Sequence, residues 1–236
     1  IGTPIGNLGD ISFRAVECLR GADVIACEDT RHSSRLLAHL EISGKELVAL
    51  HDHNEQERAG TLVERAACGE QIVFLSDAGT PTISDPGYRL VNACVEAEVP
   101  VEVIPGPSAV ITALAGSGLP TDAFYFGGFL PVKSGRKQRE LEAALERVET
   151  SIFFESPHRI GKTLTLLAGL DPNRESCVAR ELTKKFETFH RGTSGELASE
   201  FADKKVKGEI TFLIRGAGKK KASRRNAGEW SPGKKS

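Results

Sequence analysis

In the first half of the chain, short apolar runs alternate with stretches in which apolar residues recur every three or four positions. Val24–Cys27, Leu47–Leu50, Ile72–Leu75 and Val101–Ile104 read as strands; Ile72–Leu75 is uniformly apolar, the pattern of a strand buried on both faces. Between them lie helix signals. Asp10 stands as an N-cap before Ile11, Ala15, Cys18 and Leu19, with Gly21 as the stop. Arg31–Leu40 has helical spacing. Asn54 and Glu57 have capping-box spacing for a helix through Leu62, Val63, Ala66 and Ala67, closed by Gly69. Asp85-Pro86 reads as an N-cap with proline in the first turn of a helix to about Ala97, and Pro107 opens another. This alternation predicts a βαβαβ-like half built on a parallel sheet. Ile1-Gly2 reads as the stub of a further strand.

After Gly116–Pro120, a hinge-like stretch, the pattern changes. Phe124–Phe129, Ile152–Phe154, Cys177–Ala179, Phe186–Phe189 and Ile210–Ile214 read as strands. Lys133–Arg139 leads into a charged helix through Leu141, Leu145 and Val148; Ser156-Pro157 opens another through Leu167. The close spacing of the last strands predicts antiparallel pairing. The expected class is α/β, with a mostly parallel N-terminal sheet in residues 1–118, a mixed sheet in residues 119–215 and a tail over residues 216–236.

Three loops concentrate the chemistry: Thr3-Pro4-Ile5-Gly6-Asn7, Ser76-Asp77-Ala78-Gly79-Thr80-Pro81 and Pro105-Gly106-Pro107-Ser108. In an open α/β sheet, loops leaving the carboxyl ends of parallel strands form the ligand crevice. Glycine and proline there fix the turn and admit close approach of a ligand. Each loop alone is an ordinary turn; three together favour a ligand site. The chain has no P-loop and no G-x-G-x-x-G, and the loops hold no Lys or Arg. That favours a cationic or zwitterionic nucleoside held by backbone groups and one carboxylate, Asp77, over a polyphosphate. Ser108-Ala109 opens a helix whose free N–H groups suit a carboxylate. His51-Asp52-His53 lacks further ligands at convincing spacing and reads as a polar loop, so no metal is expected.

Composition narrows the class. The chain has 236 residues, 39% hydrophobic and 27% charged, as in ordinary soluble domains. No run approaches the roughly 18 apolar residues of a membrane span, and no signal peptide is legible. Five cysteines form no C-x-x-C pair, which fits a reducing cytoplasm. The net charge of −1 divides unevenly: from Gly216 onward seven Lys and Arg face one acid, Glu229, so the tail is +6 and the rest −7. A tail of this composition is expected to be disordered, and to act either as a solubilising terminus or in contacts with nucleic acid.

Longer motifs then carry a resemblance. In order they are Thr3–Ile11, Cys27-Glu28-Asp29-Thr30-Arg31-His32, Ser76–Pro86, Pro105–Ala109, Glu155-Ser156-Pro157-His158-Arg159, Ala179–Lys184, Phe186-Glu187 and Lys207–Ile210. From residue 1 to about 215 the chain resembles the bacterial 16S rRNA cytidine 2′-O-ribose methyltransferases of the tetrapyrrole methylase superfamily. The resemblance implies two αβα domains, S-adenosylmethionine (SAM) in the cleft between them, a 16S rRNA or 30S subunit partner, a homodimer, and no membrane association. It implies cofactor contacts from Pro4, Asp77, Ala78, Gly79, Ile83, Ser108, Ala109, Phe126, Phe154, Arg180, Leu182 and Gly208. It makes Lys184, Glu28 and Asp29 the catalytic candidates, and Arg31, His32, Arg136 and Lys137 the RNA contacts. Two other functions fit the same residues: a SAM-dependent methylase of a tetrapyrrole or protein, and a non-catalytic RNA-binding assembly module.

Overall fold

A computed structural model describes residues 1–218. Its first sheet has three parallel strands, β1 (Val24–Cys27), β2 (Glu46–Ala49) and β3 (Ile72–Leu75), in the order β2-β1-β3. The alternation of β1 sorts two cores. Ile25 and Cys27 face α1 (Phe13–Gly21) and α2 (Thr30–His39), where Leu19 and Leu37 pack; Val24 and Ala26 face α3 (Glu55–Ala67) and α4 (Tyr88–Glu96), where Leu62, Val63 and Leu90 pack. Ile1 N–H donates to the Phe74 carbonyl and Gly2 N–H to that of Ile104, and Thr3 bridges Gly79, so the chain start joins the loops at the carboxyl end of this sheet.

The second sheet holds β4 (Phe124–Phe129), β5 (Thr150–Glu155), β6 (Glu175–Arg180), β7 (Thr188–Thr193) and β8 (Ile210–Ile214) in the order β4-β5-β8-β6-β7. Only β4 and β5 run parallel; the other three pairings are antiparallel, giving the mixed sheet that the strand spacing predicts. One face packs on α6 (Ser134–Glu146), α7 (Ile160–Leu170) and α8 (Ser194–Phe201) through Leu141, Leu164 and Leu197 around Phe153 and Phe212. The other is covered by α5 (Ala109–Ser117) through Val110, Ala113 and Leu114 against Ile152, Cys177, Ala179 and Leu213. Each sheet thus lies between helices.

This packing moves α5. The reading by segments put it in residues 1–118, yet it is apolar almost all round and buries itself on the second sheet. Val101–Ile104 joins neither sheet; Val103 is exposed, and Glu102 pairs with Arg14 on the surface. Ala217 and Gly218, inside the expected tail, donate to the Arg147 and Val148 carbonyls. The rest of the expected basic tail, residues 219–236, lies outside the described residues.

Helix starts show where local signals mislead. Asp10 belongs to a 3₁₀ turn, Leu8–Asp10, capped by Asn7, and Ser12 caps α1 by accepting from Ala15 N–H at 3.1 Å. Asn54 turns its side chain back to His51 N–H and the Ala49 carbonyl, so it makes no capping box. Asp85-Pro86 stays in the loop ahead of α4, and Ser156-Pro157 forms a bend that delays α7 to Ile160. The last expected strand but one starts at Thr188, because Glu181–Glu187 forms a loop tied by Thr183 N–H to Glu187.

The carboxylate that starts α4 comes from another helix. Glu55, buried at the head of α3, accepts from Gly87, Arg89 and Leu90 N–H at 3.0, 2.8 and 3.1 Å. It supplies the cap that Gly87 has no side chain to give, and places negative charge at the positive end of the helix. Glu55→Ala leaves buried N–H donors without a partner and is expected to cost about 2 kcal/mol in urea unfolding.

Candidate functional site

The carboxyl end of the first sheet faces the second across a cavity of about 380 Å³, within the usual range for small-molecule sites. The first sheet contributes Ile5, Ala78-Gly79-Thr80 and Ile83-Ser84-Asp85. The start of α5 contributes Ser108, Ala109 and Val110. The second sheet closes it with Phe129, Phe154 through Pro157, Leu182 and Gly208 through Thr211.

The lining has a definite polarity. Among the described residues no Lys or Arg touches it, whereas Asp85, Glu155 and Glu209 do. Ser108 caps α5 through its hydroxyl, and the first N–H groups behind it have no carbonyl a turn back within the helix. Ile5, Val110 and Leu182 make a buried apolar wall. Acids, free N–H groups and apolar surface suit a ligand that carries a cation, a carboxylate and a flat ring. SAM has these three parts, so the donor set fits it.

Of the expected cofactor contacts, Ala78, Gly79, Ile83, Ser108, Ala109, Phe154, Leu182 and Gly208 line the cavity. Four lie behind it. Pro4 sits between Thr3, bridged to Gly79, and Ile5, which does line it. Phe126 backs Phe154 edge-on at 5.0 Å. Arg180 is spent on backbone carbonyls, its Nε on Lys207 at 2.6 Å and its Nη1 on Phe186 at 3.2 Å. Asp77 Oδ1 accepts from Asp29 N–H at 3.2 Å, and Asp85 is the acid at that part of the wall. Asp85, Glu155, Glu209 and Phe129 escaped sequence reasoning. Asp85 reads in sequence as a helix cap, and Glu155 is a strand-end residue whose neighbours bend into the cavity.

The catalytic candidates have unlike surroundings. Asp29 caps α2, accepts from Arg31 N–H, and pairs with the Arg31 guanidinium at 2.9 Å. Those hydrogen bonds draw its carboxyl down to about 2, so it is a poor base. Arg31, held in that pair, and His32 are both exposed beside it. Glu28 is pushed the other way: burial raises it, and the carboxylates of Asp77 and Asp85 add to the rise. Asp85 is raised by burial, with Asp77 and Asp52 adding. Lys184 bonds Glu181 at 3.0 Å and Glu209 at 3.1 Å. Partial burial lowers its ammonium, but these hydrogen bonds outweigh it, so Lys184 titrates above the ordinary lysine value.

Lys137 is not a surface cation. It is 7% exposed, and its Nζ donates to Glu155 Oε2 and Thr163 Oγ1, both at 2.8 Å. This corrects its expected contact with RNA: the third basic residue of the Lys133–Arg139 run lands on the inner face of α6 with Leu141 and Ala144. Arg136, one position earlier, is exposed. His51 and His53 lie edge to face at 6.0 Å, and among the described residues no group of three or more His, Cys, Asp or Glu is placed to hold a metal ion.

Glu28 gives a pH signature. A carboxyl raised in the native state binds its proton at higher pH than in the unfolded chain, so its contribution to stability is fullest at low pH and is lost as pH rises through the native value. Glu28→Gln is therefore expected to raise the thermal midpoint at pH 8 and to leave it nearly unchanged at pH 4. Equal shifts at both pH values contradict the repulsive cluster.

Comparison with known proteins agrees with this geometry. The model of the tetrapyrrole (corrin/porphyrin) methylases matches residues 1–198. A Vibrio cholerae protein named ribosomal RNA small subunit methyltransferase I is 53% identical over 220 residues, 92% of this chain and 76% of the relative. The protein of that name from Escherichia coli O157:H7 is 47% identical, with 92% and 76% covered. Two solved structures share the fold: uroporphyrin-III-C-methyltransferase from Thermus thermophilus (TM-score 0.63, 19% identity, 91% of each chain) and diphthine synthase (0.66, 17%, 92% of this chain and 88% of the other). The chain belongs to the tetrapyrrole methylase family, and within it to the ribosomal RNA small subunit methyltransferase I group.

Proposed function

We propose that this chain methylates the 2′-hydroxyl of a cytidine ribose in 16S rRNA of the small ribosomal subunit, with SAM as donor. The observation that carries the reading is the 53% identity, along 92% of the chain, to a relative named for methylating small-subunit rRNA. The cation-free, acid-bearing cleft supports it independently. The reading includes a cytoplasmic site of action, a homodimer, and two αβα domains that share the cleft. Exposed Tyr88, Val91 and Val95, spaced along the outer face of α4, support a dimer contact. Among the described residues no helix is long and apolar enough to cross a membrane.

Bound in the cleft, SAM supplies an already activated sulfonium methyl. The chain's own residues align and polarise. Gly79 and Leu182 bring backbone and apolar surface to the cofactor, and the N–H groups behind Ser108 take its carboxylate. Asp85, an acid of the wall, would hold the cationic part of the cofactor. A ribose hydroxyl is a weak nucleophile near neutral pH. Lys184, kept protonated by Glu181 and Glu209, is no base; it offers positive charge to a developing alkoxide. Glu28, whose raised value brings it nearer neutrality than Asp29, is the better acceptor for the hydroxyl proton. Exposed Arg136 at the start of α6 and exposed His32 at the start of α2 serve in this reading as contacts for the RNA backbone.

Incubation with methyl-labelled SAM and small subunits lacking the modification tests the reading. Label is expected on a single cytidine ribose of 16S rRNA; label on a base or on protein contradicts it. Lys184→Ala is expected to lower the single-turnover rate about a hundredfold at saturating subunits, with SAM affinity near wild type. Full recovery of the rate at high subunit concentration would reduce Lys184 to a phosphate contact.

A further inference from the structure

Phe129 is 62% exposed, although it belongs to a strand and lines the cavity. A β-bulge puts it there. Phe126 pairs with Ile152 and Phe129 with Phe154, so three steps along β4 match two along β5. Without the extra residue, side chains three apart point to opposite faces. With it, Phe126 and Phe129 share the face that carries Ile152 and Phe154. Gly128 absorbs the irregularity at φ +65°, and a Cβ at Gly127 would overlap the Phe153 ring. Bulges beside sites commonly re-aim a side chain in this way.

The re-aimed ring is supported from behind and open in front. Phe154 meets it at 5.3 Å with a 60° tilt, and Phe126 in turn braces Phe154. Ile5, Val110 and Leu182 are buried and form the deeper wall, so Phe129 stands at the mouth. The chain that leaves it carries exposed Lys133 and Arg136, neither in an ion pair among the described residues. An open aromatic face followed by free cations is the combination that binds single-stranded nucleic acid, ring to base and cation to phosphate. Chemistry on one ribose also requires that nucleotide to leave its stack, and its base then needs a surface.

We propose that Phe129 is the stacking platform for an unstacked nucleobase of the RNA substrate, at or next to the nucleotide that is methylated. The proposal rests on the rRNA methyltransferase reading and adds a substrate-positioning residue to it. The test compares wild type with Phe129→Ala, Phe129→Leu and Phe129→Trp, using small subunits lacking the modification and labelled SAM. KM for subunits and kcat are measured beside calorimetric SAM affinity. Phe129→Ala is expected to raise the subunit KM about 5- to 100-fold while SAM affinity stays within about twofold. Phe129→Trp should retain wild-type KM, and Phe129→Leu, apolar but without a π face, should behave like alanine. Leucine that matches wild type overturns the proposal, because simple packing then suffices. Loss of SAM affinity in step with KM also overturns it, because the ring then serves the cofactor's adenine. A wild-type chain that labels no RNA removes the underlying reading, and the proposal with it, a result distinct from either.

Discussion

The second wall of the cleft is organised around one buried charge. Glu155 ends β5 with its side chain fully covered. Oε1 accepts from Arg159 Nη2 at 2.5 Å and from Ser156 N–H at 2.7 Å; Oε2 accepts from Lys137 Nζ at 2.8 Å and Thr163 Oγ1 at 2.7 Å. A carboxylate out of water is costly unless its lone pairs are matched, so these groups are constrained together. They come from α6, α7 and the bend that holds Ser156-Pro157. The same interaction fixes the bend against the cavity and keeps α6, whose start carries exposed Lys133 and Arg136, beside α7. Within the Glu155–Arg159 motif, Glu155 and Arg159 thus serve largely as an architectural device. The buried lysine joined to it explains why part of the basic run never reaches solvent.

The two lips of the cleft differ in charge. On the first sheet burial raises Glu28 and Asp85, and the neighbouring carboxylates of Asp77 and Asp52 add to both around the carboxyl ends of its strands. On the second, exposed Lys133, Arg136, His158 and Lys162 surround the starts of α6 and α7. A polyanion is drawn more strongly to the second lip. A cationic cofactor is favoured between them, beside the acids. Among the described residues no basic side chain lines the cavity between the two lips.

Much of this was legible in the sequence because it rests on local patterns. Uniform apolar runs gave β1 and β3, and the three glycine- and proline-bearing loops do meet the cavity through Ile5, Ala78 to Thr80 and Ser108, although only the second of them leaves a strand. The lack of Lys and Arg in those loops anticipated the polarity of its wall. What escaped depends on tertiary contacts. Glu55 caps a helix more than thirty residues away in sequence. The position of α5 depends on which sheet its apolar surface reaches. Asp85 rather than Asp77 lines the cavity, and the loop between them turns through positive φ at Thr82 and Ser84. The bulge that exposes Phe129 shows in sequence only as two adjacent glycines, and the partner strand decides its register.

The central claim is that both sheets together form one site for a cationic nucleoside, held by acids, backbone N–H groups and apolar surface. Calorimetric titration of the full chain in the presence of chelator, with SAM, S-adenosylhomocysteine and ATP in turn, tests it most directly. The account predicts saturable binding of SAM and S-adenosylhomocysteine and none of ATP. Binding of ATP with comparable affinity, or SAM binding that requires a divalent ion, would contradict it.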